Sequence, residues 1–266
     1  MIHVAAFSGG KDSTALLLWL REQGIEFTAV FCDTGWEHPL TYAYIEEINQ
    51  RVLFGRLVTV KNERWTDGMR SLVAKRGRVP SVRARFCTEE LKVFPMRDYL
   101  RTLDDVVTVY QGIRAEESAS RAKMRTREWS DTYDAWIERP LMQWTAAQVF
   151  EAIAASGLEA NPLYRLGSKR VGCFPCIMTR HAELRRLNDM LPEVWDRIAE
   201  LEAAAGRSFF PPGFIPERFN SLRDPISGLS FPSVADVQRY VLGAGEEQLT
   251  MYGETPACMS VYNLCE

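Results

Sequence analysis

The stretch Val4-Ala-Ala-Phe-Ser-Gly-Gly-Lys-Asp-Ser-Thr14 decides the fold, because it joins an apolar strand to an apolar helix through two adjacent glycines. The strand covers residues 2–7, and the run Ala15-Leu-Leu-Leu-Trp-Leu20 belongs to the helix. Glycines have no Cβ, so the backbone can turn tightly and point successive amide groups into one concavity. The helix N-terminus adds free N–H groups and the positive end of its dipole. These features predict a phosphate-binding loop.

The predicted phosphate contacts come from six consecutive residues, which are Ser8, Gly9, Gly10, Lys11, Asp12 and Ser13. Backbone amides, two hydroxyls and one ammonium group would hold the phosphates, and the carboxylate would bind Mg²⁺. A Walker motif is excluded, because Ala5 stands where that motif needs a glycine and Asp12 follows the lysine. The alternative is an ordinary glycine turn with incidental polar residues. The order of strand, loop and apolar helix favours the phosphate loop.

Composition indicates a soluble globular protein, since 46% of the 266 residues are hydrophobic and 25% are charged. No apolar run approaches the roughly 18 residues of a membrane span, and no basic segment precedes an apolar core at the start. We therefore expect a cytoplasmic protein with no membrane partner. The net charge of −3 argues against a general nucleic-acid coat. Six cysteines in such a chain suggest metal, cluster or redox chemistry more than disulfides.

Strand and helix patterns alternate after the loop, which predicts a Rossmann-like parallel sheet with helices on both faces. Further strands are expected at 28–32, 57–60 and 106–110. Asp33 follows the first of these, and Gly112 and Arg114 follow the last. Because open α/β sheets bind ligands at the carboxyl ends of their strands, we expect these residues beside the phosphate loop. Asp33 could hold Mg²⁺ or a ribose hydroxyl. A helix cap is the alternative role for the residues that follow it, including Glu37 and His38.

The second half of the chain contains a Cys-x-x-Cys pair, Cys173 and Cys176, directly after a glycine. Such a tight turn lets two sulfurs face one metal. A turn at 161–170 carries three cations, among them Arg165 and Arg170, and residues 126–139 are expected to form a loop or excursion. We therefore divide the chain into a nucleotide-binding α/β domain over 1–130 and a mostly helical and irregular region over 131–266. The second region carries the cysteines and packs on the first.

Six segments together resemble the phosphoadenosine phosphosulfate (PAPS) reductase family of the PP-loop ATP pyrophosphatase superfamily; they are residues 8–13, 33–39, 85–92, 112–118, 161–164 and 172–176. The resemblance implies an adenine nucleotide alpha hydrolase-like fold, with the nucleotide bound across the carboxyl edge of the sheet. It also implies one of three chemistries. These are reductive attack on a sulfonucleotide, adenylyl transfer, and ATP-driven sulfur transfer to a nucleic acid.

The resemblance further implies a 4Fe–4S cluster held by Cys87, Cys173 and Cys176. The reductases carry paired cysteines at the first of these positions, whereas Cys87 is followed by a threonine. The fourth ligand must come from elsewhere, with Cys258 as first and Cys265 as second candidate. Four thiolates suit Zn²⁺ equally on count, and free thiols in a turn are a further alternative.

The Glu-Cys-Gly-[Leu/Ile]-His motif that carries the catalytic cysteine of the reductases is absent, and the sequence given ends in Cys265-Glu266. We therefore expect cleavage of ATP between its α- and β-phosphates, with a nucleic acid or small molecule as acceptor and a protein donor of sulfur or electrons. The catalytic candidates are Lys11, Asp12, Asp33 and Arg114. Arg114, Arg165 or Arg170 would hold the other phosphates or the acceptor. Two alternatives remain. One is reduction of PAPS or adenosine phosphosulfate (APS), with Cys265 as nucleophile and thioredoxin as reductant, and the other is a non-catalytic regulator that binds nucleotide and cluster.

Overall fold

A six-stranded, mostly parallel sheet forms the centre of the computed structural model, which describes residues 1–225 and 227–243. Its strands are β1 (Ile2–Phe7), β2 (Thr28–Cys32), β3 (Val58–Val60), β4 (Val107–Tyr110), β5 (Arg127–Ser130) and β6 (Ala135–Glu138). They lie in the order β3-β2-β1-β4-β6-β5, and every neighbouring pair is parallel except β5 with β6. The predicted α/β class with a Rossmann-like parallel sheet is confirmed.

Helices cover both faces of this sheet and form a separate layer beyond it. They are α1 (Lys11–Glu22), α2 (Pro39–Arg51), α3 (Gly68–Arg76), α4 (Phe86–Thr88), α5 (Phe94–Leu100), α6 (Ala146–Ala155), α7 (His181–Met190), α8 (Val194–Ala205) and α9 (Val234–Gly243). A π-helical turn, Glu89–Val93, joins α4 to α5. A small antiparallel pair, β7 (Leu222–Arg223) and β8 (Ser230–Phe231), lies near the end of the described residues. Within those residues, no helix is both long and apolar enough to cross a membrane.

The excursion expected over residues 126–139 is wrong, because these residues form the hairpin of β5 and β6. The pairs Arg127 with Glu138 and Trp129 with Trp136 fix its register. β6 then continues the parallel sheet beside β4. The sheet therefore extends beyond residue 130, the predicted end of the nucleotide-binding region, and α6 packs on α1 in the same layer.

The buried residues that the structure describes form three clusters. One sheet face packs against α1, α2 and α6 through side chains such as Leu16, Ile48 and Ile153. The opposite face packs against α5 through Met96 and Leu100. The third cluster is largely helical, since α3, α7, α8 and α9 bury their apolar faces against one another. The two helices expected between residues 182 and 205 are α7 and α8. α8 packs against α3, and α7 packs against α8, which ties the C-terminal half to the N-terminal half.

Candidate functional site: a cleft at the sheet edge beside a cysteine pocket

The loop over residues 8–13 turns tightly at Gly9, whose φ is +76°. A Cβ at this position would lie 2.9 Å from Cγ1 of Ile45, so α2 packs directly against the loop. The loop then enters α1 at Lys11. The hydroxyls of Ser13 and Thr14 both donate to the carbonyl oxygen of Gly10, each at 3.0 Å. The start of α1 is therefore fixed by its own side chains.

Two side chains from a distant 3₁₀ turn, Pro162–Tyr164, hold the same loop from outside. Asn161 donates from Nδ2 to the carbonyl oxygen of Gly9 at 3.1 Å, and the hydroxyl of Tyr164 accepts the N–H of Lys11 at 3.0 Å. The Lys11 ammonium also lies 5.3 Å from the centre of the Tyr164 ring. We call Asn161 and Tyr164 the loop clamp. Because the Lys11 amide already has this partner, it is less available to a phosphate than its position predicts.

Gly112 allows the end of β4 to approach the loop. A Cβ there would lie 2.6 Å from the carbonyl oxygen of Asp12 and 2.9 Å from the amide nitrogen of Ser13, both backbone atoms that cannot move aside. Only a residue without a side chain fits this contact. Gly112 was predicted to bind the nucleotide, and the structure shows that it also sets the distance between β4 and α1.

The carboxylate of Asp12 is buried between two cations. It accepts from the Lys11 ammonium at 2.6 Å and from Nε of Arg114. The Arg114 guanidinium is 4% exposed and also donates to Glu116, at 2.6 Å. Burial works to lower the pKa of Arg114, but the attraction of Asp12, Glu117 and Glu116 outweighs this effect, so the pKa is raised. These contacts occupy both oxygens of Asp12, so Asp12 is poorly placed to bind Mg²⁺. The Arg114 guanidinium is held by carboxylates and supports the loop instead of binding phosphate.

A cleft opens where the carboxyl ends of β1, β2 and β4 meet. Its polar wall includes Ser8, Ser13, Glu37, Lys92 and Gln111. After β1 the chain runs outward through β2 and β3 on one side, and it then returns to β4 on the other side of β1, so the strand order reverses at this point. Such a switch point is where doubly wound sheets bind their ligands. Of the residues predicted to bind nucleotide, Ser8, Ser13 and Gly112 line this cleft.

Asp33 and Glu37 lie close together just beyond β2. The hydroxyl of Tyr42 donates to both, at 2.7 Å to Asp33 Oδ1 and 3.1 Å to Glu37 Oε2. Burial and the two carboxylates raise the pKa of Tyr42, so its hydroxyl stays protonated as a donor. Asp33 Oδ2 makes no hydrogen bond among the described residues, which leaves one oxygen for a cation. The alternative of a helix cap is realised by His38, whose Nδ1 accepts the N–H of Leu40 at 3.0 Å.

Cys87, Cys173 and Cys176 line a second pocket, directly beside the cleft. Lys92 and Gly172 line both cavities and therefore form their common wall. The structure thus brings together the three cysteines that the sequence predicts as ligands, although Cys87 precedes Cys173 by 86 positions in the chain and Cys176 by 89.

Backbone pairing attaches the Cys-x-x-Cys turn to the segment after β2. The amide of Phe174 donates to the carbonyl oxygen of Trp36 at 2.7 Å, and the indole N–H of Trp36 donates to the carbonyl oxygen of Pro175 at 3.1 Å. The Arg197 guanidinium covers the Trp36 ring at 4.4 Å from its centre. These contacts hold the cysteine turn against the same loop that carries Asp33.

The cations near Cys87 do not make it a thiolate. Burial raises the pKa of Cys87 to about 12, and Cys173 and Cys176 raise it further, while Lys92 and Arg85 only partly oppose this. Burial likewise raises the pKa of Cys173 to about 11. Without a metal, these thiols are therefore protonated at neutral pH and are poor nucleophiles.

Three cysteines in one pocket are the right type of ligand for a thiolate-binding metal or cluster, but a complete site needs four ligands. Among residues 1–225 and 227–243, no group of three or more His, Cys, Asp and Glu side chains is arranged to hold a metal ion. Cys258 and Cys265 lie outside the described residues. The described residues alone therefore do not fit a complete site, and no reaction step is assigned to a cluster.

Two predicted cations lie away from the cleft. Arg165 pairs with Glu159 at 2.9 Å, and its side chain is 68% exposed. Arg170 lines the cysteine pocket instead. Conversely, Lys92 and Gln111 line the cleft without having been predicted there. Gln111 follows a strand that the sequence did predict, so its place at the strand end could have identified it. Lys92 comes from the π-helical turn, a feature often found at functional sites.

The strand order and the cleft at its switch point define a protein of the doubly wound α/β class. The family model of the phosphoadenosine phosphosulfate reductase domain matches residues 2–179. The chain therefore belongs to the PAPS reductase family.

The relatives include proteins with and without a named activity. An uncharacterized 37.8 kDa protein of Escherichia phage 186 is 30% identical over 326 aligned positions, which cover 100% of this chain and 97% of that protein. A phosphoadenosine 5'-phosphosulfate reductase of Vibrio vulnificus is 26% identical over 172 residues, or 64% of each chain. The solved structure of PAPS reductase from Candida auris, a phosphate complex, matches the fold with a TM-score of 0.53 at 20% identity. That match covers 66% of this chain and 83% of the other.

Proposed function

We propose that the protein binds ATP in the cleft and cleaves the bond between its α- and β-phosphates, activating an acceptor for sulfur chemistry. The observation that carries this proposal is the position of the cleft. It lies at the switch point of the sheet, has Ser8 and Ser13 on its wall, and shares Lys92 and Gly172 with the cysteine pocket. A nucleotide bound there would have its phosphates beside the glycine loop and its reacting end near the cysteines.

The reaction is an in-line displacement at the α-phosphorus. An acceptor atom forms a bond to this phosphorus while the bond to the bridging oxygen breaks, and pyrophosphate leaves with the electron pair. The charge on the leaving group must be neutralised by groups already in place. Lys11, Lys92 and the hydroxyl of Ser8 are the donors that we assign to this role, and Ser13 would join them only by leaving the carbonyl oxygen of Gly10.

Mg²⁺ fits Asp33 better than Asp12, because one oxygen of Asp33 is left without a hydrogen bond among the described residues. The ion would supply further charge neutralisation on the phosphates when bound. Asp12 and Arg114 then act by positioning. Their buried ion pair, together with Gly112, holds the N-terminus of α1 against the end of β4.

The cysteine pocket is the place that we propose for the predicted 4Fe–4S cluster. Cys87, Cys173 and Cys176 would be three of its ligands, with Cys258 or Cys265 as the fourth. Zn²⁺ is the alternative occupant on ligand count. A protein donor of sulfur or electrons would act at this pocket.

Reduction of PAPS or APS to sulfite is the second candidate, and the relatives that are named as reductases favour it. It would need a nucleophilic thiolate, which the buried thiols of Cys87 and Cys173 do not provide because of their raised pKa. Cys265, outside the described residues, would have to take that role, with thioredoxin as reductant.

Anaerobic incubation of the protein with ATP and with PAPS, in separate reactions, tests the proposal. We expect pyrophosphate from ATP once an acceptor is supplied. Sulfite from PAPS with consumption of thiol would instead establish the reductase, and tight binding of ATP without turnover would establish a regulator.

The matched variants are Lys11→Met and Lys61→Met. Lys11 is buried at the loop, whereas Lys61 is exposed and only contacts Glu63 at 4.0 Å. Loss of one preorganised donor costs about 10²–10³-fold in rate. We therefore expect Lys11→Met to lose about that much pyrophosphate release and Lys61→Met to retain it. Equal rates in both variants would contradict the assignment of the loop.

A further inference from the structure

A third cavity, outside the nucleotide cleft, forms an open groove of about 2240 Å³. Its walls come from residues 77–83, 206–212 and 222–225, with Ile177 and Phe231. We call it the basic groove, because four arginines and a single carboxylate line it. These charged residues are Arg78, Arg83, Arg207, Arg223 and Asp224. The groove is thus strongly positive in a chain whose net charge is −3.

Most of this positive charge is uncompensated. Arg207 forms an ion pair with Asp224, and Arg223 donates from Nε to the carbonyl oxygen of Gly228 at 3.1 Å. Arg78 and Arg83 are exposed and make no ion pair or hydrogen bond among the described residues. Arg78 only covers the ring of Phe86, 5.2 Å from its centre. Guanidinium groups in this state are available to bind phosphates, which they can do with two parallel hydrogen bonds.

The floor of the groove is apolar. Pro211 and Pro212 form its exposed part, whereas Phe209 and Phe210 before them are buried, at 5% and 3% exposure, and offer almost no surface to a ligand. At the mouth, Val82 and Leu222 are 45% and 42% exposed. A ligand that fits must therefore carry both a row of negative charges and flat apolar groups. A simple inorganic anion or an acidic peptide would leave this apolar surface uncovered.

The basic groove adjoins the cysteine pocket. Ile177 lines both the basic groove and the cysteine pocket, and the wall at 77–83 continues within four residues to Cys87. The cysteine pocket in turn shares Lys92 and Gly172 with the nucleotide cleft. A chain-like ligand in the groove would have one end directed at the place where the activated phosphate and the cysteines meet.

We propose that the basic groove binds single-stranded nucleic acid and that this strand is the acceptor. The acceptor role rests on the proposed function, whereas the binding does not. The arginines contact phosphates while unpaired bases pack on the apolar floor. Single-strand binders in general combine a positive groove with apolar or aromatic surfaces for the bases. A duplex keeps its bases stacked inside and could not use the floor.

Fluorescence anisotropy with a labelled single-stranded DNA tests the proposal. A length of about 15 nucleotides is near the upper site size of a single oligonucleotide-binding (OB) fold. The double variant Arg78→Glu/Arg83→Glu is compared with Arg21→Glu/Arg101→Glu, which changes the net charge equally. Arg21 and Arg101 are exposed at the ends of α1 and α5, outside the groove. We expect the groove variant to bind at least about tenfold more weakly, and the control variant to bind like the unmodified protein.

Salt dependence gives a second readout. Each phosphate contact contributes about 0.7 to the slope of log affinity against log salt for single strands, so the groove variant should lose about 1.4. Arg78→Gln/Arg83→Gln provides the same test without introduced carboxylates, and thermal unfolding checks that each variant is folded. Equal weakening in the groove and control variants, or equal binding of a duplex or of polyglutamate, would overturn the proposal.

The two proposals can fail separately. ATP cleavage without binding of the single strand would refute the basic groove alone. Binding of the single strand that depends on Arg78 and Arg83, in a protein that does not cleave ATP, would refute the proposed reaction and leave the groove assignment standing.

Discussion

A methyl group at residue 112 would lie 2.6 Å from the carbonyl oxygen of Asp12, so the substitution Gly112→Ala must push β4 and α1 apart. Overpacking of this kind costs about 1–3 kcal/mol of the free energy of unfolding. A displacement of about 1 Å at a reacting group can cost roughly 10²-fold in rate. We therefore expect Gly112→Ala to lose about 10²-fold in pyrophosphate release, measured with ATP under the conditions given above.

Gly24→Ala is the control for this prediction. Gly24 has φ of +66°, and a Cβ there would meet nothing within 4 Å. An alanine in this left-handed conformation costs about 1–2 kcal/mol. Both variants should therefore unfold at lower temperature, but Gly24→Ala should keep its turnover. If both lost turnover equally, general destabilisation and not the spacing between β4 and α1 would be responsible.

Single residues also show how a correct motif can be given an incorrect role. Arg114 was predicted to bind phosphate, yet its guanidinium is buried against Asp12 and Glu116. Arg165 was predicted to do the same, but the neighbouring Tyr164 is the residue that reaches the loop. Side chains one position apart on a tight turn point in different directions, and a sequence alone does not reveal which one faces the site.

At the scale of elements, the 3₁₀ turn Pro162–Tyr164 acts on the glycine loop through the loop clamp. Tyr164→Phe removes the acceptor of the Lys11 amide while keeping the ring beside the ammonium group. One net hydrogen bond contributes about 0.5–1.5 kcal/mol, which corresponds to roughly twofold to tenfold in an equilibrium constant. We expect ATP affinity, measured by isothermal titration calorimetry, to fall within that range, because the loss of order in the loop outweighs the release of the Lys11 amide to a phosphate.

Tyr133→Phe makes the same chemical change at a hydroxyl with a different environment. Tyr133 is buried, and its hydroxyl has no hydrogen-bond partner among the described residues. Removing an unsatisfied buried hydroxyl should leave ATP affinity unchanged and stability unchanged or slightly higher. The clamp would be refuted if Tyr164→Phe bound ATP as well as Tyr133→Phe does.

Elements with local patterns could be predicted, and elements defined by distant pairing could not. β4 has four consecutive buried residues, and α1 has an apolar run after its glycines, so both could be identified from sequence. β5 alternates exposed and half-buried residues at the sheet edge and gains its identity only from pairing with β6. The same limit applies to the site. The loop over 8–13 was predictable, whereas its clamp and Lys92 come from residues that only folding brings near it.

At the scale of the whole molecule, the nucleotide cleft, the cysteine pocket and the basic groove lie in series. Lys92 and Gly172 separate the first two, and Ile177 belongs to the last two. The cleft lies on the sheet, whereas the cysteine pocket and the groove involve residues of the helical cluster of α3, α7 and α8. α8 packs on α3, and residues within or directly after these two helices line both the cysteine pocket and the basic groove.

This arrangement predicts which cysteine the metal requires. Cys173 lines the cysteine pocket, whereas Cys32 lies in β2, lines the nucleotide cleft and contacts the carbonyl oxygen of Lys92 at 3.5 Å. Protein purified without oxygen should show the broad visible absorbance of an iron–sulfur cluster. Cys173→Ser should lose this absorbance together with its iron and sulfide, and Cys32→Ser should keep them. A colourless protein that carries zinc would exclude the cluster but keep the thiolate site. Equal metal loss in both variants would mean that the pocket is not where the metal binds.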